Sequence, residues 1–383
     1  RNIFSSGQYE VSRLPGHPLQ EVLLAFTHHF SPWLLNLITS LVSVSGVLVF
    51  VLILRHFQIK NALWIGLALA FTPVYFIQST NVMDYNWALT FILCAVYFTL
   101  SRKIILAGLF IGLAVGFRIT SGAMMLPLAI LLYQMTTEEK RMKRVFMFIG
   151  SSFLFSIISF LPPFFTYGIN FFSFYEYFPY PSIFKNIYKG TIGVWGLPGT
   201  IGVTFATTLL VKQFFKPGSP KSRSLSPLLL FSFITIILFL ISFIRIPQKS
   251  AFIIPILPWL YVVFGVYLSE RKLKLLVYTL VISCVMFGVN LNNPIRGNRP
   301  SAVAVNLNIN DLHLSVDPLI GPVTADVLKR MNKRKYALNV SDKLQESDQK
   351  MFLIAGWYQN EIVYFLGSDR SDKWRVVYLS LIH

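Results

Sequence analysis

Residues 34–54 read LLNLITSLVSVSGVLVFVLIL, twenty-one positions without one charged side chain. At 1.5 Å of rise per residue that run makes a helix of roughly 31 Å, about the thickness of a bilayer's hydrocarbon core. Working outward from it, comparable apolar runs recur at 62–78, 86–100, 104–117, 122–135, 145–167, 193–211, 225–244, 250–268 and 273–289. The pattern predicts an all-α polytopic membrane protein with about ten transmembrane helices, followed by a small C-terminal α/β soluble domain. Several runs fall short of the roughly 20 residues that a full crossing needs, so some helices are expected to end below the membrane surface.

Composition agrees, with 54% apolar, 15% aromatic and 13% charged residues, where a soluble domain carries roughly a quarter charged. Cys94 and Cys284 both lie in apolar runs and fit neither a disulfide framework nor metal-ligand spacing, so they read as packing residues. The net charge of +18 is distributed by topology. Fifteen Lys and Arg fall in one set of alternate connections, among them Lys140, Lys143, Arg144, Lys212 and Arg223, and seven in the other set. Cytoplasmic loops retain basic residues, so the richer set is expected in the cytoplasm. The remaining twelve basic residues follow Leu291, and no nucleic-acid partner is needed to explain the charge.

This orientation places 1–33 outside the cytoplasm, which predicts a further transmembrane helix ahead of Arg1. The expected division is 1–291, a transmembrane domain with external loops, and 292–383, a small external α/β domain. Within the latter, 350–356 and 374–382 read as strands, and 326–333 and 358–366 as helices. Asn339-Val-Ser341 matches a glycosylation tripeptide, a match expected by chance in a stretch this long.

Charges at membrane depth are costly unless paired or solvated, so the sparse ionisable residues of the poorer set are the functional candidates. Its acids before the terminal domain are Glu10, Glu21, Asp84 and Glu176, and its cations include Arg13, Arg118, Arg245 and Lys249. Asp84, in STNVMDYNW, is read either as a helix N-cap or as a working carboxylate. Arg118, in GFRITSG between two short runs, is read as recessed in a cavity or as snorkelling to headgroups. Arg245 and Lys249 share the turn RIPQK, where two cations suit a phosphate or anionic lipid headgroups. Ten aromatics between Tyr167 and Tyr188 make either an interfacial belt or a lid over a lipid chain. His28 and His29 are adjacent and would point to different faces of a helix, and no metal site is expected.

Four stretches in order resemble the GT-C superfamily of membrane glycosyltransferases, which includes protein O-mannosyltransferases and the lipid A aminoarabinose transferase. SRLPGHPLQE (12–21) looks like the family's proline-rich first external loop, and NVMDYNWALTF (81–91) like its acidic mouth before an apolar helix. GLAVGFRITSGAMMLPLAILLY (112–133) is similar to its glycine-rich short hairpin, and KSAFIIPILPWLYVVFG (249–265) to its late proline-punctuated helix. The resemblance implies transfer of a sugar from a polyprenyl-phosphate carrier to an acceptor hydroxyl of a glycan, lipid or protein, on the external face. The membrane would be a bacterial or archaeal cytoplasmic membrane, or the endoplasmic reticulum membrane of a eukaryote. It implies no obligatory cofactor or metal, the polyprenyl-phosphate sugar being the donor, with membrane lipids as the other partners. Asp84 and Glu10 become the catalytic candidates, and Arg13, His17, Glu21, Arg118, Arg245 and Lys249 the substrate-binding ones. Members carry an essential Asp before the proline loop, and no Asp precedes Asp84 here, so that residue is expected upstream of Arg1. Two other classes fit the hydropathy. A transporter or lipid flippase would show internal repeats and charges at the bilayer midplane, and an O-antigen ligase or polymerase would concentrate its chemistry in one large external loop.

Overall fold

Proline and glycine decide where the apolar runs break into helices. The run at 62–78 is two helices, Ala62–Ala70 and Pro73–Ser79, bent by 68°. Pro73 lacks an N–H and drives Thr72 to an extended conformation, φ −67° and ψ 120°. The Thr72 hydroxyl donates to the Ala68 carbonyl and lies 2.6 Å from the Tyr261 hydroxyl, which pins the bend against a second helix.

The computed structural model describes residues 9, 15–27, 29–169, 180–214, 226–291, 303–309, 312–347, 349–367 and 371–377. The chain forms two compact units, Arg1–Phe287 and Gly288–His383. The first is helical, in the order Pro18–Phe26, Pro32–His56, the bent pair, Asp84–Leu100, Ile104–Phe117, Met125–Met135, Glu138–Tyr167, Ile183–Gly190, Ile192–Phe214, Ser226–Arg245, Leu257–Tyr267 and Glu270–Val285. Among the described residues five helical stretches are long and apolar enough to cross a membrane, or six if the bent pair is one span. That is fewer than the ten or so expected; the runs at 104–117 and 122–135, read as spans, fall in shorter apolar helices. The core is apolar and aromatic, centred on Trp259, whose ring meets Phe231 edge-on at 4.6 Å and Phe50 at 6.3 Å.

Two breaks share one construction. Arg118 is extended (φ −155°, ψ 110°) and is followed by a 3-10 turn, Ile119–Met124, and the 11-residue helix Met125–Met135. Lys249 is extended (φ −142°, ψ 141°) and is followed by a 3-10 turn, Ser250–Ile256, and the 11-residue helix Leu257–Tyr267. Both stretches read as a cation and, eight residues later, a Leu-Pro pair: Leu126-Pro127 and Leu257-Pro258. The sequence reading treated 122–135 and 250–268 as plain helices; each instead opens in the tighter turn, which ends at Met124 and at Ile256.

Gly108, Gly112 and Gly116 line one face of Ile104–Phe117, spaced four apart, and let Glu138–Tyr167 approach closely. A Cβ on Gly112 would come within 2.8 Å of the Phe155 backbone, and one on Gly108 within 2.9 Å of the Ser152 nitrogen. Glu138–Tyr167 has 30 residues, roughly 45 Å of helix. It starts seven residues before the apolar run, because the charged segment from Glu138 to Arg144 continues the same helix into water.

In the second unit, β1 (Gly288–Leu291), β2 (Val305–Ile309) and β3 (Leu312–Asp317) form an antiparallel sheet in the order β1-β3-β2. The last apolar run therefore ends at Val285, and Val289 pairs in a strand with Val316. Strands β4 (Met351–Ile354) and β5 (Trp374–Val377) pair in parallel; helix Pro322–Glu346 precedes β4, and Gln359–Leu366 lies between the two strands in sequence. Ala337, Leu344, Ile362 and Val376 make the small core. Ser341 of the glycosylation tripeptide is buried inside a helix, its hydroxyl donating to the Ala337 carbonyl.

Candidate active site

At one end of the helical unit three chain segments converge on Asp84. The residue opens the Asp84–Leu100 helix, but the N-cap is Met83, and the Asp84 carboxylate accepts a hydrogen bond from Arg118 Nη1 at 2.7 Å. The capping reading of Asp84 therefore gives way to an ion pair, with Asp84 wholly buried and Arg118 11% exposed. The first-turn position also sets the carboxylate at the positive end of the helix dipole.

Arg118 reaches Asp84 because its extended backbone ends Ile104–Phe117 and turns the side chain back across the bundle. Its guanidinium lies between two rings, 4.4 Å from Tyr85 and 4.6 Å from Phe252. Desolvated cation–π contacts of this sort contribute about 2 kcal/mol. Arg118 is thus recessed, as one sequence reading had it, and its short bond is spent on a carboxylate.

His17 brings the third segment. Pro18 presets the first turn of Pro18–Phe26, and His17 Nδ1 lies 2.8 Å from the Phe117 carbonyl and 3.6 Å from Asp84 Oδ2. The carbonyl can only accept, so Nδ1 carries the hydrogen. Gly116 makes the docking possible, since a Cβ there would meet the Leu19 side chain at 2.6 Å. The Gln20 amide donates to the Val82 carbonyl at 3.1 Å, two residues before Asp84. Glu21, buried in the same short helix, accepts from the Tyr9 hydroxyl; burial first, and Glu21 second, push the Tyr9 phenol above its ordinary range. Glu10 and Arg13 lie outside the described residues.

Arg245 and Lys249 do not join this buried pair. Both are exposed, at the two ends of the turn 245–249. Lys189, from the helix Ile183–Gly190, donates to the Pro247 carbonyl in the middle of that turn at 3.0 Å. The Tyr180 hydroxyl donates at 2.9 Å to the carbonyl of Ile244, in the last turn of Ser226–Arg245 just before the turn 245–249. Burial, and then the charge of Lys185, hold the Lys189 ammonium below its ordinary pKa. Phe252 links the two clusters, standing three residues after Lys249 and stacked on Arg118. Lys185, Lys189, Tyr85 and Phe252 were not singled out in sequence. Lys189 was hidden in a loop read for its aromatics, while the repeated cation and Leu-Pro spacing could have flagged the segment holding Phe252. Among the described residues no three His, Cys, Asp or Glu side chains gather as a metal-binding group.

Helices long and apolar enough to cross a membrane, short helices broken at extended basic residues and a separate small α/β unit make up an integral membrane protein. Its fold is shared with solved structures of ArnT, a lipid A aminoarabinose transferase of the GT-C class, from Cupriavidus metallidurans. The form bound to undecaprenyl phosphate superposes with a TM-score of 0.61 at 12% identity, over 99% of this chain and 80% of that one. The apo form gives 0.60 at 14%, over 99% and 79%. No family profile and no curated protein matches the sequence.

Proposed function

We propose that this chain is a membrane glycosyltransferase that takes a sugar from a polyprenyl-phosphate carrier and passes it to an acceptor hydroxyl on the external face. The observation that carries the reading is the pairing of Asp84 with Arg118 beside the cationic turn 245–249, in a fold shared with an enzyme captured with undecaprenyl phosphate. In this reading Lys189, Arg245 and Lys249 receive the carrier phosphate. Lys185 adds field, and Phe252 fixes the turn relative to Arg118.

The reaction is displacement at the anomeric carbon. The acceptor oxygen bonds to that carbon, the carbon–oxygen bond to phosphate breaks with its electron pair going to the carrier, and a carboxylate takes the acceptor proton. Cations placed where charge grows on the leaving phosphate favour the transition state over the ground state. Asp84 is the positioning carboxylate of this scheme. It locks Arg118 and draws His17 inward, which shapes the wall that the donor meets.

The test uses the full protein in proteoliposomes loaded with polyprenyl-phosphate-linked sugars and extracted membrane acceptors, with release of free polyprenyl phosphate as the readout. Lys249→Ala is expected to weaken carrier binding by roughly 10-fold or more, since a charge-assisted hydrogen bond contributes about 1.5–3 kcal/mol. Asp84→Asn is expected to cut release by about 10²-fold, the loss that follows when reacting groups are misplaced, while carrier binding stays near wild type. Movement of a lipid across the bilayer with no carrier released would instead support a flippase.

A further inference from the structure

We propose that the opposite end of the Asp84–Leu100 and Ile104–Phe117 hairpin is a binding site for an anionic phospholipid, with its headgroup phosphate among five cations and one acyl chain along an apolar wall. A cavity of about 660 Å³ lies there, and Arg102, Lys103, Lys140, Lys143 and Arg144 line it with no acidic residue. The 17-residue helix Asp84–Leu100 sets this cavity about 25 Å from the Asp84 end. It is therefore separate from the candidate active site.

Two observations set the cavity apart from charge placed only to orient a membrane protein. The first is sorting around one helix. Lys140, Lys143, Arg144 and Met147 recur at the spacing of a single helical face and all line the cavity. Arg141 does not; it turns away, stacks 4.5 Å from the Tyr133 ring and donates to the Thr136 carbonyl. Glu138 and Glu139, on the same helix, also lie outside the lining. Among the described residues none of the five lining cations enters an ion pair.

The second is Arg102. Its φ is +60°, and it follows Ser101, the C-cap of Asp84–Leu100. The Lys103 N–H donates to the Phe98 carbonyl and the Arg102 N–H to the Thr99 carbonyl, a closing turn in which glycine is the usual residue. A β-carbon is disfavoured in that left-handed position. From that turn the Arg102 side chain lines the cavity.

The ligand class follows from the two kinds of wall. Phosphate suits Arg forks and Lys point charges. Ile105, Leu106 and Met147 are exposed on the apolar side, where a soluble anion would leave them uncovered and a lipid chain would not. Basic pockets between membrane helices are suited to anionic headgroups for these reasons.

Native mass spectrometry of the full chain in neutral detergent tests this, with dioleoyl phosphatidylglycerol, dioleoyl phosphatidylcholine and inorganic phosphate as separate probes. Wild type should retain phosphatidylglycerol in clear preference to phosphatidylcholine. Arg102→Gly, which suits the left-handed turn and should melt no lower than wild type, should weaken retention roughly fivefold. A combined Lys140→Gln, Lys143→Gln, Arg144→Gln variant should abolish the preference, and Arg141→Gln should leave it unchanged. Equal retention of both lipids, or equal losses from Arg102→Gly and Arg141→Gln, would overturn the proposal. Displacement of the lipid by inorganic phosphate at matched concentration would overturn it in favour of a soluble anion.

Discussion

Asp84 and Arg118 are each expensive inside an apolar bundle and affordable only together. Removing one partner of a buried pair leaves an uncompensated group and costs about 3–5 kcal/mol. Arg118→Gln should therefore lower the melting temperature of the detergent-solubilised protein markedly. The double variant Asp84→Asn, Arg118→Gln should recover much of the loss, because two neutral amides can bond each other. A double variant as unstable as the single one would mean that the stacking of Arg118 on Tyr85 and Phe252, not the ion pair, holds this region. Both charges were legible in sequence, since an ionisable residue beside an apolar run stands out. Their partnership was not, because 34 residues separate them and periodicity carries no distance across a bundle. Lys189 was less legible still, its place at the turn depending on one bond to the Pro247 carbonyl.

Among the elements, the packing of Ile104–Phe117 against Glu138–Tyr167 depends on small residues in place of an inter-helix hydrophobic effect. Gly112 faces Phe155 with no room for a side chain, whereas a Cβ on Gly150, in the partner helix, meets nothing within 4 Å. Gly112→Val should force the helices apart and lower the melting temperature or the yield of folded protein. Gly150→Ala should be neutral or stabilising by up to about 1 kcal/mol, the helix-propensity gain. Equal effects from the two would show that the helices do not touch along this stripe. The helix boundaries at 104 and 117 were readable from hydropathy alone, because Lys103 and Arg118 bracket an uninterrupted apolar run. The 3-10 turn after Lys249 was not, since its residues are nearly as apolar as the helix that follows. Strands β1 to β3 escaped notice because β1 directly extends an apolar helix and β2 alternates asparagine with aliphatic residues in a region read only for its polarity.

Across the whole molecule, the chain shares the ArnT fold at 12–14% identity, so what the two have in common is the fold and not the sequence. Sequence resemblance pointed to this fold through four short stretches, each of which falls at a break or an end: the His17 turn, the Asp84 mouth, the Arg118 hairpin and the Lys249 turn. The central claim is that a polyprenyl phosphate sits with its phosphate at the turn 245–249. Photo-cross-linking measures it most directly, using the full protein in membrane vesicles and an undecaprenyl monophosphate analogue with a diazirine beside the phosphate. The account predicts labelled peptides from Ile183–Gly190 and from 245–252, competed by excess undecaprenyl phosphate and lost in the Lys189→Ala, Lys249→Ala double variant. Labelling confined to other segments, or unchanged in that variant, would contradict it.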